Sequence, residues 1–149
     1  MKKSIFVLAL LLGSTLGHAQ KLREADVPAN VKQAFAQKFP NAKEVKWSKE
    51  SANEFEAAFE DGAREQSANF DPAGQWLGTE TEIKVSELPQ SVQALINKDF
   101  AGFKIKEAEK AEAPGKDMFY EVELAKGKAK YEVQISADGK LIKKEEMTK

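Results

Sequence analysis

The sequence predicts an α+β protein made of two tandem copies of one small unit. Each unit is a helix followed by about four antiparallel strands, with the helices packed on one face of the sheet. Three observations predict this. Punctuation and apolar positions recur in order at a fixed offset, a stripe of apolar residues at i+4 opens each copy, and apolar and polar residues alternate strictly after it.

The recurrence begins at Val27-Pro28-Ala29-Asn30-Val31 and Leu88-Pro89-Gln90-Ser91-Val92, which lie 61 positions apart. Phe35 then falls opposite Ile96, Phe39 opposite Phe100 and Lys43 opposite Lys104. Farther on, Phe55-Glu56-Ala57-Ala58-Phe59 matches Tyr120-Glu121-Val122-Glu123-Leu124 at an offset of 65. The same offset pairs Gly62 with Gly127, Phe70 with Ile135 and Gly74 with Gly139. The change of offset places a four-residue insertion near Ala113-Pro114-Gly115-Lys116, as expected of a loop. The units are therefore assigned to 20–84 and 85–149, behind a leader of 1–19.

The leader is read from its chemistry. Lys2 and Lys3 form a basic start, Ile5 to Leu12 an apolar run of eight residues, and Gly17 and Ala19 the small pair that a signal peptidase accepts. Cleavage is expected between Ala19 and Gln20. An uncleaved anchor is the alternative, but the run is short of the roughly 20 residues that span a bilayer. The location expected of the mature chain, Gln20–Lys149, is periplasmic or secreted.

The first helix is expected to start at Pro28, whose missing N–H costs nothing in a first turn. Val27, Val31, Phe35 and Phe39 supply its apolar stripe, and Pro40 ends it by pushing its predecessor out of the α region. Pro89 opens the second helix, Val92, Leu95, Ile96 and Phe100 form its stripe, and Gly102 stops it. In the strands, Val45 and Trp47 alternate with charged residues. Phe55, Ala57 and Phe59 do the same before the hairpin signal Asp61-Gly62. Gln66, Ala68 and Phe70 lead into the turn Asp71-Pro72-Ala73-Gly74, and a strand follows from Trp76 to Ile83. In the second unit Tyr120, Val122 and Leu124, then Tyr131, Val133 and Ile135, alternate with polar residues, and Leu141 to Met147 closes it. Period two with one polar face describes antiparallel sheet buried on one side.

Chemistry is bounded by what the chain lacks. The protein has no cysteine, and its single histidine, His18, leaves with the leader. This removes Ser–His and Cys–His nucleophiles and the usual zinc and copper ligand sets. No phosphate-cradling glycine loop is present. Once Lys2 and Lys3 are gone, 21 basic residues face 24 acidic ones with no basic block, so no nucleic-acid footprint is seen. No cofactor or metal site is expected, and the chain is read as not an enzyme. Glu56 and Glu121, at equivalent positions, are the first carboxylates to test for hydrolysis. Their alternation with apolar residues places them on a solvated outward face.

Trp76 is the candidate protein-binding residue, and two placements are open. If Leu77, Thr79, Thr81 and Ile83 face inward, Trp76 stands on the polar face as a binding anchor. If a bulge forms near Gly78, Trp76 turns into the core.

A short export signal followed by two Val/Leu-Pro-x-x-Val units, each with a Phe-ended helix, alternating strands and a Gly-containing turn before Trp76 or Leu141, resembles the PepSY-like proteins. These are also called β-lactamase-inhibitor-like (BLIP-like) proteins, and the resemblance spans Asp26 to Met147. It implies tandem α+β repeats, an exported location and an inhibitor or binding role. The expected partner is a protein or peptide of the cell envelope. A non-catalytic binding module using the open sheet face is the leading expectation. Inhibition or regulation of an exported hydrolase, a peptidase or β-lactamase, is the alternative.

Overall fold

The computed structural model describes residues 20–147. The leader expected over 1–19 lies outside the described residues. The strands are β1 (Gln20–Leu22), β2 (Lys43–Ser51), β3 (Glu54–Asp61), β4 (Arg64–Phe70), β5 (Trp76–Glu82), β6 (Lys104–Glu112), β7 (Phe119–Lys126), β8 (Ala129–Ser136) and β9 (Leu141–Glu146). The helices are α1 (Ala29–Lys38) and α2 (Gln90–Asp99), and a short 3-10 turn precedes each. The protein is thus α+β, with two helices and one antiparallel sheet of nine strands in the order β1 to β9 among the described residues.

The element ranges keep the spacing read from the sequence. Adding 61 to the bounds of α1 and β2 gives those of α2 and β6, and adding 65 to β3 gives β7. The intervening loops account for the change. Two residues, Ala52 and Asn53, join β2 to β3, whereas the six residues 113–118 join β6 to β7. The strand bounded by Lys104 and Glu112 carries few large apolar residues, and its alternation is correspondingly faint in the sequence.

The sheet does not break between its halves. β5 pairs with β6 through Thr79↔Glu112, Glu80↔Ala111, Thr81↔Lys110 and Glu82↔Glu109. Registered residues point to the same side, so this ladder fixes which face continues across the middle. Val31 and Phe35 of α1 pack with Trp47, Phe55, Ala57, Phe59, Ala68 and Phe70. Val92 and Ile96 of α2 pack with Ala108, Tyr120, Val122, Leu124, Val133 and Ile135. Both helices therefore lie on one face, each over its own core. Trp47 is buried in the first of these, as its parity with Val45 implies.

Two turns tie the sheet to the helices. Asp71 Oδ1 accepts from the backbone N–H of Ala73 at 2.9 Å and of Gln75 at 2.8 Å. Asn30 Nδ2 of α1 donates to the Pro72 carbonyl at 2.7 Å, and Ser91 Oγ of α2 donates to the Ala137 carbonyl at 2.6 Å. Gly74 and Gly139 have φ of +83° and +84°, and a Cβ there would meet the Asn30 or Ser91 carbonyl oxygen at 2.8 or 2.7 Å. Glycine is required twice over, by backbone conformation and by close approach. Gly139→Ala is expected to cost about 2 kcal/mol or more. Gly62→Ala, with φ +65° but open space around the Cβ, should cost less. Urea unfolding of the two variants checks the ranking, and equal losses would contradict it.

Candidate functional site

The second face of the sheet carries no helix among the described residues. Alternation puts Glu56 and Ala58 of β3, Ser67 and Asn69 of β4, Glu80 of β5, Glu109 and Ala111 of β6, Phe119 and Glu121 of β7 and Gln134 of β8 there. Four of its glutamates are not solvated. Glu56 is 8% exposed, Glu80 3%, Glu109 7% and Glu121 4%. The outward parity expected for Glu56 and Glu121 is observed, and the expected solvation is not.

The cause lies in the cross-strand neighbours. Glu80 stands opposite Ala111, and Ala111 opposite Phe119, so short and aromatic groups flank the carboxylates. Glu109 stands directly opposite Glu121, two carboxyl groups in register that would repel if both were ionised. One carboxylate oxygen each from Glu80, Glu109 and Glu121 lies within 4.8 Å of the other two. Burial, reinforced by Glu80, Glu107, Glu121 and Glu132, pushes Glu109 up to about 10. Burial first, then the charge of Glu121, raises Glu80 well above the ordinary carboxylate range. Glu121 is raised by burial and by Glu132, against a hydrogen bond from Gln134 Nε2 at 3.0 Å and the charge of Lys143. Burial pushes Glu56 and Glu132 up to about 7. These are the effects of desolvation and crowding on carboxyl groups.

Satisfaction of these groups is incomplete. Ser67 Oγ donates to Glu80 Oε2 at 3.3 Å, while Glu80 Oε1 is buried without a partner. Asn69 Nδ2 donates to Glu54 Oε1 at 2.8 Å, and Asn69 Oδ1 is likewise unpartnered.

As a hydrolytic pair, Glu56 and Glu121 fail on distance. They lie on β3 and β7, four strand spacings apart, about 19 Å along the sheet. A glycosidase pair requires about 5–9.5 Å. The Glu80–Glu109–Glu121 group is close enough but too buried to admit a sugar. Sequence reasoning missed Glu80 and Glu109. The available signal was glutamate at every non-core position of Glu80-Thr81-Glu82 and Glu107-Ala108-Glu109.

Trp76 takes the second of its two open placements. β5 is bulged, because Asn69 pairs with Gly78 while Phe70 pairs with Trp76, which leaves Leu77 unpaired. Trp76 then packs against the first core on the helix-bearing face. Its Nε1 donates to Thr79 Oγ1 at 2.9 Å, and Lys38 Nζ stands 3.7 Å from its ring centroid.

These features define a class: an α+β protein in which, among the described residues, one sheet face lies under two helices and the other is bare and lined with buried acids. The family described as "Putative beta-lactamase-inhibitor-like, PepSY-like" matches residues 14–64 and 53–143, and the chain belongs to it. Solved structures share the fold. A DUF2874 family protein from Bacteroides uniformis ATCC 8492 is 22% identical, with a TM-score of 0.74 over 80% of this chain and 88% of that one. A BLIP-like protein from Bacteroides fragilis NCTC 9343 is 24% identical, with a TM-score of 0.72 over 82% and 88%. A protein from Bacteroides eggerthii DSM 20697, described as periplasmic, is 18% identical, with a TM-score of 0.76 over 82% and 90%. No curated protein sequence matches the chain. Among the described residues, no helix is long and apolar enough to cross a membrane.

Proposed function

We propose that the chain is an exported, non-catalytic binding module that meets a protein or peptide of the cell envelope with the bare face of its sheet. One observation carries this reading: among the described residues, the continuous sheet has both helical cores on one face and no covering element on the other. The module is two tandem copies, 20–84 and 85–149, each a helix with the four strands after it, released by cleavage after Ala19. The recurring element ranges and the paired Asn30–Pro72 and Ser91–Ala137 contacts support the duplication. The periplasmic description of the B. eggerthii protein supports the periplasmic or secreted location. The lack of cysteine, and of histidine beyond His18, supports a role without catalysis.

Capture from an envelope extract tests the face. Glu60 and Glu65 are exposed, stand opposite each other and share the bare face. Glu60→Lys with Glu65→Lys is expected to weaken recovery of a partner by at least about tenfold, or 1.4 kcal/mol. Trp76→Ala should leave it within about twofold. Loss with Trp76→Ala alone would move the contact to the helix face, and equal recovery by all three chains would remove the reading.

The family description and the BLIP-like neighbour favour a second reading, inhibition of an exported peptidase or β-lactamase. It expects the chain to slow at least one such enzyme at micromolar concentration. A panel in which none slows would dismiss it.

A further inference from the structure

We infer that Glu80, Glu109 and Glu121 form a site for one divalent cation of calcium type. This goes beyond the binding role, since it requires no partner protein. One carboxylate oxygen from each residue lies within 4.8 Å of the others. A calcium ion holds its oxygens at about 2.3–2.6 Å, so ligands on opposite sides of it are about 5 Å apart. The register explains the convergence. Glu109 faces Glu121 across β6 and β7, and Glu80 faces Ala111, two positions along from Glu109. With only a methyl group at Ala111, no bulky side chain at that position separates Glu80 from the other two.

A second observation, apart from the clustering, points to a ligand. Glu80 is 3% exposed, and its Oε1 has no partner although Ser67 satisfies Oε2. Asn69, also 3% exposed, leaves its Oδ1 unpartnered on the same face, two residues from Ser67. Asn69 Oδ1 is an acceptor, as is Glu80 Oε1 once Glu80 is ionised, and a buried acceptor without a donor or cation is costly. The surrounding charge has the same sign. Glu107 and Glu132 act on Glu109, Glu56 and Glu132 on Glu80, and Glu132 and Glu145 on Glu121, with Lys143 opposing them at Glu121. A divalent cation would offset this crowding. The donors are all oxygen, and residues 20–149 contain no histidine or cysteine, so a hard cation suits them better than zinc or copper.

The test uses the chain from Gln20 onward, stripped with EDTA and titrated with calcium chloride by calorimetry near neutral pH. Glu80→Gln and Glu109→Gln are measured beside it. Glutamine keeps the shape and one acceptor oxygen but loses the charge. One calcium per chain is expected, with a Kd at or below about 1 mM, as in extracellular calcium modules. Each variant should bind at least about tenfold more weakly. At about 100-fold excess over Kd, the unfolding midpoint should rise by about 5 °C or more. Midpoints in EDTA at or above that of the unsubstituted chain show that the variants fold.

If they do not fold, the unsubstituted chain decides alone. Calcium must displace protons from this site. Its affinity should therefore fall at least about tenfold between about pH 7.5 and 5.5, whereas ordinary surface carboxylates remain ionised there. No heat and no midpoint change up to about 10 mM calcium, well above the Kd of such modules, would overturn the inference, the oxygens then holding protons. Equal affinity in all three chains, or affinity insensitive to pH, would also overturn it. No partner protein is present in the assay, so its failure leaves the binding reading standing.

Discussion

Raising the pH from about 5 to about 9 in metal-free buffer is expected to lower the unfolding midpoint by about 10 °C or more, and Glu109→Gln to flatten the fall. The sign follows from the direction of the shifts. Burial holds Glu109 at about 10 and Glu56 and Glu132 at about 7, all above the ordinary 4.5, and Glu80 and Glu121 are raised as well. The folded chain therefore binds more protons than the unfolded chain between those values. Stability from such groups is complete below about 4.5 and is lost as the pH climbs through the folded values. One carboxyl protonated only in the fold contributes a slope of about 1.4 kcal/mol per pH unit. Glutamine at 109 removes that proton and the crowding of Glu121 with it, so the variant should match the parent chain near pH 5 and exceed it near pH 9. Thermal unfolding followed by circular dichroism at each pH reads both chains. A midpoint that is flat or rising over this range, or a Glu109→Gln chain with the parent's slope, would show that these glutamates are ionised in the fold.

Phe35→Ala is expected to cost about 3–5 kcal/mol, measured by urea unfolding. Phe35 is the hub of the first core. Its ring lies 5.1 Å from Phe59, 5.2 Å from Trp47, 5.5 Å from Phe39 and 6.3 Å from Phe70, centroid to centroid. Truncation leaves a cavity lined by rings that rigid strands and α1 cannot close, and it removes edge-to-face contacts beyond the area lost. At the equivalent position α2 carries Ile96, which has no ring of its own, and Ile96→Val should cost only about 1 kcal/mol. Because the two cores are distinct, amide exchange in Phe35→Ala should accelerate first in α1 and β2–β4 and later in β7 and β8. A loss under about 1.5 kcal/mol, or faster exchange confined to the second half, would place the hub elsewhere.

The helices, the turns and strands β3, β4, β7 and β8 were legible because their apolar residues repeat at 3.6 or 2. The Phe-ended stripes and the Asp-Gly and Gly turns also leave little choice of boundary. The insertion between β6 and β7 was legible as a change of offset. β1 was not, since Gln20–Leu22 is three residues long and becomes a strand only by pairing with Lys49, Ser48 and Trp47. The acidic site was legible in parity and illegible in burial. Period two places Glu56 and Glu121 opposite the core, but whether a carboxylate on that side meets water depends on its neighbours across the ladder. Glu80 is desolvated beside Ala111 and Phe119, whose strands are joined to β5 by register rather than by proximity in the chain. Trp76 turned on one unpaired residue, Leu77, and alternation alone cannot say which side of a bulge it falls on.

If the bare, acidic face is the one that meets other molecules, a bound partner must shield its exposed carboxylates. Carbodiimide labelling of carboxyl groups, with and without a captured partner, tests it most directly. Glu60, Glu65 and Glu145 are exposed in the free chain and should label readily. In the complex these three are expected to be protected, while acetylation of Lys38 and Lys98 on the helices continues unchanged. Protection of Lys38 and Lys98 with full labelling of Glu60, Glu65 and Glu145 would contradict it.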